Sequence, residues 1–240
     1  MSGLYDLNPN KIGQVSNLHE LASVTGKEMT NNWQGVDVTV NARFLNGLLV
    51  QGGTSTGRRL TDACDVRALV PERTSSTAIV PAGGLLSGLT NPYCRVVEPY
   101  RTSATGLATY LVPKIGVQTS LTWQSNPGPE IAANYVATNA WIASGPQPLG
   151  RTLSGGANVT VNLIEPATMF GERRNNFDLR LSKVLRFGTK RLTMSADGYN
   201  LTNADTVLAY NNSFVPGGTW LTPTRIANPR YMKLGAQFDF

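Results

Sequence analysis

The amino-acid sequence predicts an all-β fold: an antiparallel, up-and-down sheet of about seven strands with one face in lipid, as in a segment of a transmembrane β-barrel. Strand-length stretches alternate apolar and polar residues, and the last of them, "YMKLGAQFDF", runs to the chain end. Short and long connections alternate between these stretches. Charged residues make up only 15% of the 240 residues, against roughly 25% in soluble domains. No apolar run is long enough for a transmembrane helix, so any membrane crossing would have to be made by strands.

The predicted strands form three hairpins and a closing strand. "GVDVTVNARF" alternates apolar and polar residues, and Asn46-Gly47 favours a tight turn before "LLVQGGTSTG". "TGLATYLV" and "KIGVQTSLTWQ" predict a second hairpin around Pro113. "NNFDLRLSKVLRF" and "LTMSADGYNL" predict a third around Gly188-Thr189. Each predicted strand has about ten residues, the length of a tilted membrane strand.

The connections predict how such a sheet would lie in a membrane. Those inside the hairpins are a few residues long, whereas the others span roughly residues 58–103, 126–175 and 203–229. An antiparallel meander then places all long loops at one rim. Outer-membrane barrels have this asymmetry, with short periplasmic turns and long extracellular loops. We expect residues 1–32 to form an extracellular loop segment and residues 33–240 to form the barrel part.

The N-terminal segment is expected to contain a short helix. Four apolar residues lie at helical spacing after Asn8-Pro9. They are Ile12, Val15, Leu18 and Ala22. We expect this helix to pack over the other loops.

One residue departs from the alternation of the third hairpin. Lys183 is in phase with Phe177, Leu179, Leu181 and Leu185, on the apolar side. A β-bulge could shift the phase, or a lysine near the rim could extend its ammonium group to the interface. The sequence leaves both explanations open.

Neither catalysis nor nucleic-acid binding is predicted. The net charge is +6, but the cationic residues are scattered rather than gathered on a basic helix or an aromatic platform. His19 is the only histidine, and Ser23 stands where a zinc-binding helix needs its second ligand. The sequence has no nucleophile elbow and no phosphate-binding loop. We therefore expect no enzyme, no catalytic residue, no cofactor, no metal and no nucleic-acid partner.

The C-terminal part resembles a known family. "NNFDLRLSKVLRFGTKRLTMSADGYNLTNA" and "ANPRYMKLGAQFDF" are similar to the end of TonB-dependent outer-membrane receptors, of the Oar-like group that carries a carboxypeptidase-regulatory-like domain. "GVDVTVNARFLNGLLVQGGTSTGR", "YLVPKIGVQTSLTWQSNPGPE" and "LSGGANVTVNLIEP" also resemble that group. The resemblance implies a location in the bacterial outer membrane. It also implies that the barrel-assembly machinery reads the final strand, through Tyr231, Phe238 and Phe240.

The same resemblance implies that the chain is the C-terminal part of a receptor. A full barrel of that family has roughly 22 strands and a plug, whereas about seven strands and no plug are found here. The parent protein would import a solute with energy coupled from the inner membrane. Its contact with the TonB complex would lie in the missing N-terminal region, and the sequence does not indicate the substrate.

Two further sets of residues are candidates for a role. Cys64 and Cys94 lie in the same long loop, and an oxidising exterior would favour a disulfide over two unrelated thiols.

Arg180, Arg186 and Lys233 are predicted to face the barrel lumen. They could contact an anionic ligand, or they could pair with carboxylates such as Asp178 or Asp239.

Two alternatives to a transporter remain open from the sequence. The first is a structural or adhesive outer-membrane barrel whose long loops bind surfaces without transport. The second is a soluble, secreted β-sandwich that acts as a binding module. A sandwich would cover the apolar face with a second sheet, whereas a membrane barrel would leave it to lipid.

Overall fold

The structure is a computed structural model that describes residues 6, 8–14, 21, 24, 28–69, 89–90, 93–145, 149–154 and 158–240. Strands dominate these residues, so the prediction of an all-β fold is confirmed. The described helices Cys64–Leu69 and Asn139–Ser144 have six residues each. The strands are β1 (Thr30–Arg43), β2 (Leu49–Asp62), β3 (Leu89–Thr90), β4 (Arg95–Val97), β5 (Arg101–Val112), β6 (Val117–Asn126), β7 (Asn134–Thr138), β8 (Asn158–Asn162), β9 (Arg174–Phe187), β10 (Lys190–Tyr199), β11 (Val207–Tyr210), β12 (Pro223–Ile226) and β13 (Tyr231–Asp239).

The main sheet is an antiparallel meander with the strand order β1-β2-β5-β6-β9-β10-β13. These are the strands that the alternating stretches predict. β4 pairs with the end of β2, where it continues the line of β5 after a break at residues 98–100. Among the described residues β1 and β13 each pair on one side and do not pair with each other, so the described sheet is open.

All short turns lie at one rim of this sheet, and all long loops lie at the other. The turns span residues 44–48, 113–116 and 188–189, and the long loops span residues 63–100, 127–173 and 200–230. At the first turn Gly47 has a φ of 84°, which glycine adopts without strain, and the Leu48 amide donates to the Asn46 side chain at 3.1 Å. We call these two ends the short-turn rim and the long-loop rim.

The first long loop begins later than the sequence predicts. The expected boundary near residue 58 is wrong, because β2 pairs with β1 as far as Asp62, which lies opposite Thr30. The last residues of β2 are mostly polar, so the apolar alternation used to find strands does not extend to them.

The register divides the sheet into an apolar and a polar face, because side chains opposite each other on neighbouring strands share a face. Leu181, for example, lies opposite Thr119 and Ala196, and Ala196 lies opposite Leu234. The apolar face carries Val36, Val38, Val40, Ala42, Val50, Ala104, Ala108, Val112, Val117, Leu121, Trp123, Phe177, Leu179, Leu181, Leu185, Leu192, Met194, Ala196, Met232, Leu234, Ala236 and Phe238.

Lys183 lies on this apolar face, opposite Val117 and Met194. The register runs from Leu179 to Phe187 without a shift, so a bulge does not explain the lysine. Val117 is the first residue of β6 and lies close to the short-turn rim. The position of Lys183 therefore agrees with an ammonium group that extends to that rim.

The described residues leave the apolar face uncovered. Leu234 is 78% exposed, Met232 74% and Val36 65%. No second sheet of the described chain lies against this face, as a β-sandwich would require. The buried apolar residues belong instead to the second long loop and are Ile131, Ala133, Ala137, Val161 and Ala167.

The second and third long loops pack together at the long-loop rim, in a layer that we call the loop cap (residues 127–173 and 200–230). In this layer β7 pairs with β8 and β11 pairs with β12, and β3 from the first long loop adds to the edge of β8. The Asn134 amide donates to Asn212 O at 2.7 Å, and the Phe214 amide donates to Asn134 O at 2.8 Å. The indole of Trp220 donates to Ala132 O at 2.9 Å. These bonds join the two loops to each other.

The predicted N-terminal helix does not start as expected. Pro9–Lys11 form a single 3-10 turn, Ile12 is extended, and Gly13 has a φ of 77°. A continuous helix through Ile12 is therefore wrong. Val15, Leu18 and Ala22 lie outside the described residues.

Candidate functional site

The apolar side chains of the main sheet form a continuous band along the strands. On β9 its residues run from Phe177 to Leu185, roughly 26 Å along the strand at ~3.3 Å per residue. At a strand tilt of ~40° the band is roughly 20 Å high, close to the ~25 Å apolar band of membrane barrels.

Aromatic side chains lie at both ends of this band. Near the long-loop rim, Trp123 and Phe177 stack across β6 and β9 with ring centroids 6.3 Å apart. At the short-turn rim, Phe238 and Phe240 lie with ring centroids 5.9 Å apart, and Phe187 is exposed on the same face. Membrane barrels carry aromatic residues at both ends of their apolar band.

The opposite face is polar and partly charged, and it carries the predicted lumen residues. The Arg180 guanidinium lies 3.5 Å from the carboxylate of Asp197, which is buried. Lys233 lies opposite Asp197 on β13, and Arg186 lies opposite Arg191 on β10. The register therefore places all three predicted residues on one face.

The carboxylate partners on this face differ partly from the expected ones. Asp239 pairs with Arg191, whose Nη2 lies 3.1 Å from it. Asp178 pairs with none of the predicted arginines, because its carboxylate accepts a hydrogen bond from the Asn200 amide at 2.8 Å.

The three residues expected to guide barrel assembly do not form one cluster. Tyr231 lies on the polar face at the long-loop rim, where it stacks on Tyr199 at 4.6 Å. Phe238 and Phe240 lie at the other rim on the apolar side, and Phe240 is 95% exposed. The two phenylalanines are therefore displayed at the end of the last strand.

A disulfide closes the base of the first long loop. Cys64 and Cys94 are bonded, with their Cα atoms 4.8 Å apart and a sequence separation of 30. The Cys64 amide donates to the Asp62 carboxylate at 3.0 Å, and the Ala63 amide donates to Cys94 O at 2.9 Å. The bond therefore holds the start and the end of the loop together above β2 and β4.

Asn200 anchors the third long loop, a role that the sequence did not reveal. It has a φ of 48°, which asparagine tolerates better than most residues. Its side chain accepts from the Ala204 amide at 2.9 Å and donates to Asn228 O at 2.7 Å. The loop is thus tied at both ends. The stretch "GYNLTNA", which belongs to the resemblance, was the available signal.

Trp33 lies on the polar face over two glycines, a second feature that the sequence did not reveal. A Cβ atom at Gly35 or at Gly57 would overlap the indole ring. Both glycines are therefore required for the close approach of this ring.

The described residues include no group of three or more metal-ligating side chains that could hold an ion. His19 and Ser23, which bear on the zinc-helix question, lie outside the described residues. Among the described helices, none has the length and apolar character needed to cross a membrane. No protein-family model, curated protein or solved structure matches the chain.

Proposed function

We propose that the chain forms part of the wall of a bacterial outer-membrane β-barrel, as the C-terminal part of a TonB-dependent receptor. The observation that carries the proposal is the uncovered apolar face, which is bordered by aromatic residues at both rims. In water such a face would cause aggregation, whereas lipid solvates it.

The two rims and the sheet edges support this proposal. Short turns on one side and long loops on the other are typical of outer-membrane barrels. The disulfide Cys64–Cys94 belongs to the long-loop side and agrees with an oxidising exterior. Within the described part of the chain β1 and β13 each have one unpaired edge, and these edges need partners in a bilayer, because unpaired backbone groups are costly in hydrocarbon. Further strands of the parent barrel would supply those partners.

In this proposal the parent imports a solute, with energy transmitted from the inner membrane through TonB. The barrel-assembly machinery would recognise the end of β13, where Phe238 and Phe240 are exposed. The mixed charges of the polar face would line the lumen. This part of the proposal rests on the sequence resemblance.

The test compares two tryptophans on opposite faces of the sheet. One variant keeps Trp123, on the apolar face, and another keeps Trp33, on the polar face, with the remaining tryptophans of the chain replaced by phenylalanine. Each variant is bound to phosphatidylcholine vesicles that contain lipids brominated in the acyl chains. We expect strong quenching of Trp123 and weak quenching of Trp33.

Exposure to water alone predicts stronger quenching of Trp33 than of Trp123. Trp33 is 53% exposed and Trp123 is 36% exposed, so a water-soluble quencher should reach Trp33 more readily in the unbound chain. Equal quenching of both tryptophans by the brominated lipids would overturn the proposal. So would the absence of quenching for Trp123 in a chain that binds the vesicles.

A structural or adhesive barrel is the second candidate, and the loop cap favours it. This layer has its own buried residues, including Ala133 and Val161, and its loops are hydrogen-bonded to each other. Such a layer can present a surface without transport. A plug domain encoded directly upstream in the genome would favour import, whereas a gene starting at Met1 with its own promoter would favour the structural role.

A further inference from the structure

The apolar face becomes polar between the Trp123–Phe177 pair and the long-loop rim. Val36 and Thr56 lie opposite each other, and the next positions on the same face are Gln34 and Arg58. On β6 the residue that follows Trp123 on this face is Ser125, which is buried. The band of apolar side chains therefore ends on a row of polar groups that still point away from the polar face.

Arg58 is fixed in this row, but its hydrogen-bonding capacity is not used up. Its guanidinium lies 4.8 Å from the centroid of the Tyr100 ring, and its Nη2 donates to the Gln34 side chain at 3.4 Å. Its Nε is buried and has no hydrogen-bond partner among the described residues. The described residues therefore leave part of the donor capacity of this guanidinium unused.

Arg173 directly precedes β9, three strands from β2 in the sheet order, and contacts the same row of polar groups. Its Nη1 donates to the Ser125 hydroxyl at 3.0 Å, and its Nη2 donates to Thr102 O at 2.6 Å. The Thr102 hydroxyl in turn lies 2.9 Å from that of Thr56, two residues from Arg58 on β2. The two arginines therefore flank one pair of hydrogen-bonded threonines.

The charges of these arginines are not neutralised by the described part of the protein. The ion pairs found there join other residues, and neither Arg58 nor Arg173 forms one with a described carboxylate. On the polar face, by contrast, Arg180 and Arg191 each have a carboxylate partner. An arginine that faces the bilayer interface without a carboxylate suits an anion of the membrane itself.

We propose that Arg58 and Arg173, here called the outer arginine pair, bind phosphomonoester groups of anionic lipid headgroups in the leaflet on the long-loop side. A guanidinium binds phosphate through parallel hydrogen bonds, and both arginines lie on the long-loop side of the apolar band. The inference rests on the proposed location of the sheet in a membrane. The inference adds that this part of the proposed barrel wall selects one class of lipid.

The test measures binding of the full chain to vesicles of phosphatidylcholine with and without phosphatidic acid, by flotation. The double variant Arg58→Gln/Arg173→Gln removes the pair. The double variant Arg43→Gln/Arg186→Gln removes the same charge from the polar face and is the matched control. A third variant, Arg58→Lys/Arg173→Lys, keeps the charge.

We expect phosphatidic acid to strengthen binding of the unmodified chain. Vesicle binding by the glutamine variant of the outer arginine pair should be about 25-fold weaker in the presence of phosphatidic acid, roughly fivefold per arginine. The polar-face control should keep the gain, and the lysine variant should keep most of it. Equal losses in both glutamine variants, or no loss in the first, would overturn the proposal.

Failure of this inference can be told apart from failure of the proposed function. If Trp123 is quenched by brominated phosphatidylcholine but phosphatidic acid has no effect, the sheet lies in the membrane and the outer arginine pair does not bind phosphomonoester headgroups. If Trp123 is not quenched in a bound chain, both proposals fall. Quenching of Trp123 in each variant also shows that the substituted chain still engages the bilayer.

Discussion

Replacing Leu181 by arginine is expected to weaken insertion of the chain into a bilayer by about 2–4 kcal/mol. Leu181 lies midway between Phe177 and Leu185, roughly 13 Å along the strand from either end of the apolar band. Arginine on the lipid face of a barrel costs ~2–4 kcal/mol at the midplane and much less near the interfaces. The expected effect is therefore a roughly 30- to 1,000-fold loss of partitioning.

The neighbouring residue supplies the matched control. Ser182 follows Leu181 on the same strand but points to the polar face, opposite Gln118 and Ser195. Ser182→Arg adds the same side chain at the same depth, and we expect it to change partitioning by less than ~1 kcal/mol. Lys183, which lies nearer the short-turn rim, shows that a cation on the apolar face is compatible with the fold at that depth.

The assay is partitioning of each full-length variant between vesicles and solution across a urea series, followed by tryptophan emission. A loss confined to Leu181→Arg is the expected result. If Leu181→Arg and Ser182→Arg weaken partitioning equally, the two faces of the sheet are in contact with the same solvent and the reasoning fails. It also fails if Leu181→Arg leaves partitioning unchanged, because an arginine on a water-covered surface alters stability by only ~0.5 kcal/mol.

Three further predictions concern the loops and the polar face. Replacing Cys64 and Cys94 by serine should destabilise the ordered conformation of the first long loop by about 3–4 kcal/mol. This loss should be detected as faster proteolysis of residues 63–100. Asn200→Ala should cost about 3 kcal/mol, because it removes buried hydrogen bonds and an asparagine at positive φ, and hydrogen exchange in β13 should accelerate. Gly57→Ala should displace the indole of Trp33 and shift its emission, because the added Cβ would overlap the ring.

Each of these predictions has a control that separates it from a general loss of stability. Adding reductant to the unmodified chain should reproduce the cysteine variant, and no change on reduction would contradict the prediction. Asn200→Gly keeps the positive φ and should recover about 1 kcal/mol relative to the alanine variant. Gly106→Ala places a Cβ at an ordinary 3.5 Å from the Trp123 ring, so it should leave the emission unchanged.

The main sheet could be predicted from the sequence because its determinants are local. Period-two alternation identified each strand, and Asn46-Gly47 fixed the first turn. The two faces follow from the same alternation, so the amino-acid order alone assigns Leu181 and Arg180 to opposite sides, and the register agrees. The pairing of Cys64 with Cys94 rested on their shared loop, and the structure joins them.

The loop cap could not be predicted, because its contacts join residues far apart in the chain. The Asn212 side chain accepts from the Ala132 amide, and the Asn162 side chain accepts from the Ala133 amide. Asparagines of this kind have no periodic signal, and their partners are set by how two loops meet. The outer arginine pair was missed for a related reason, since Arg58 lies beyond the apolar stretch that defined its strand.

The unbroken register of β6, β9, β10 and β13 makes this half of the sheet intolerant of changes in strand length. Because neighbouring side chains alternate between faces, deleting one residue inside β9 would move every later side chain of that strand to the opposite face of the sheet. Leucines would then lie on the polar face, and Arg180 or Arg186 would lie on the apolar face. Insertions and deletions in this protein should therefore accumulate in the connections, and a strand should change only by two residues at a time.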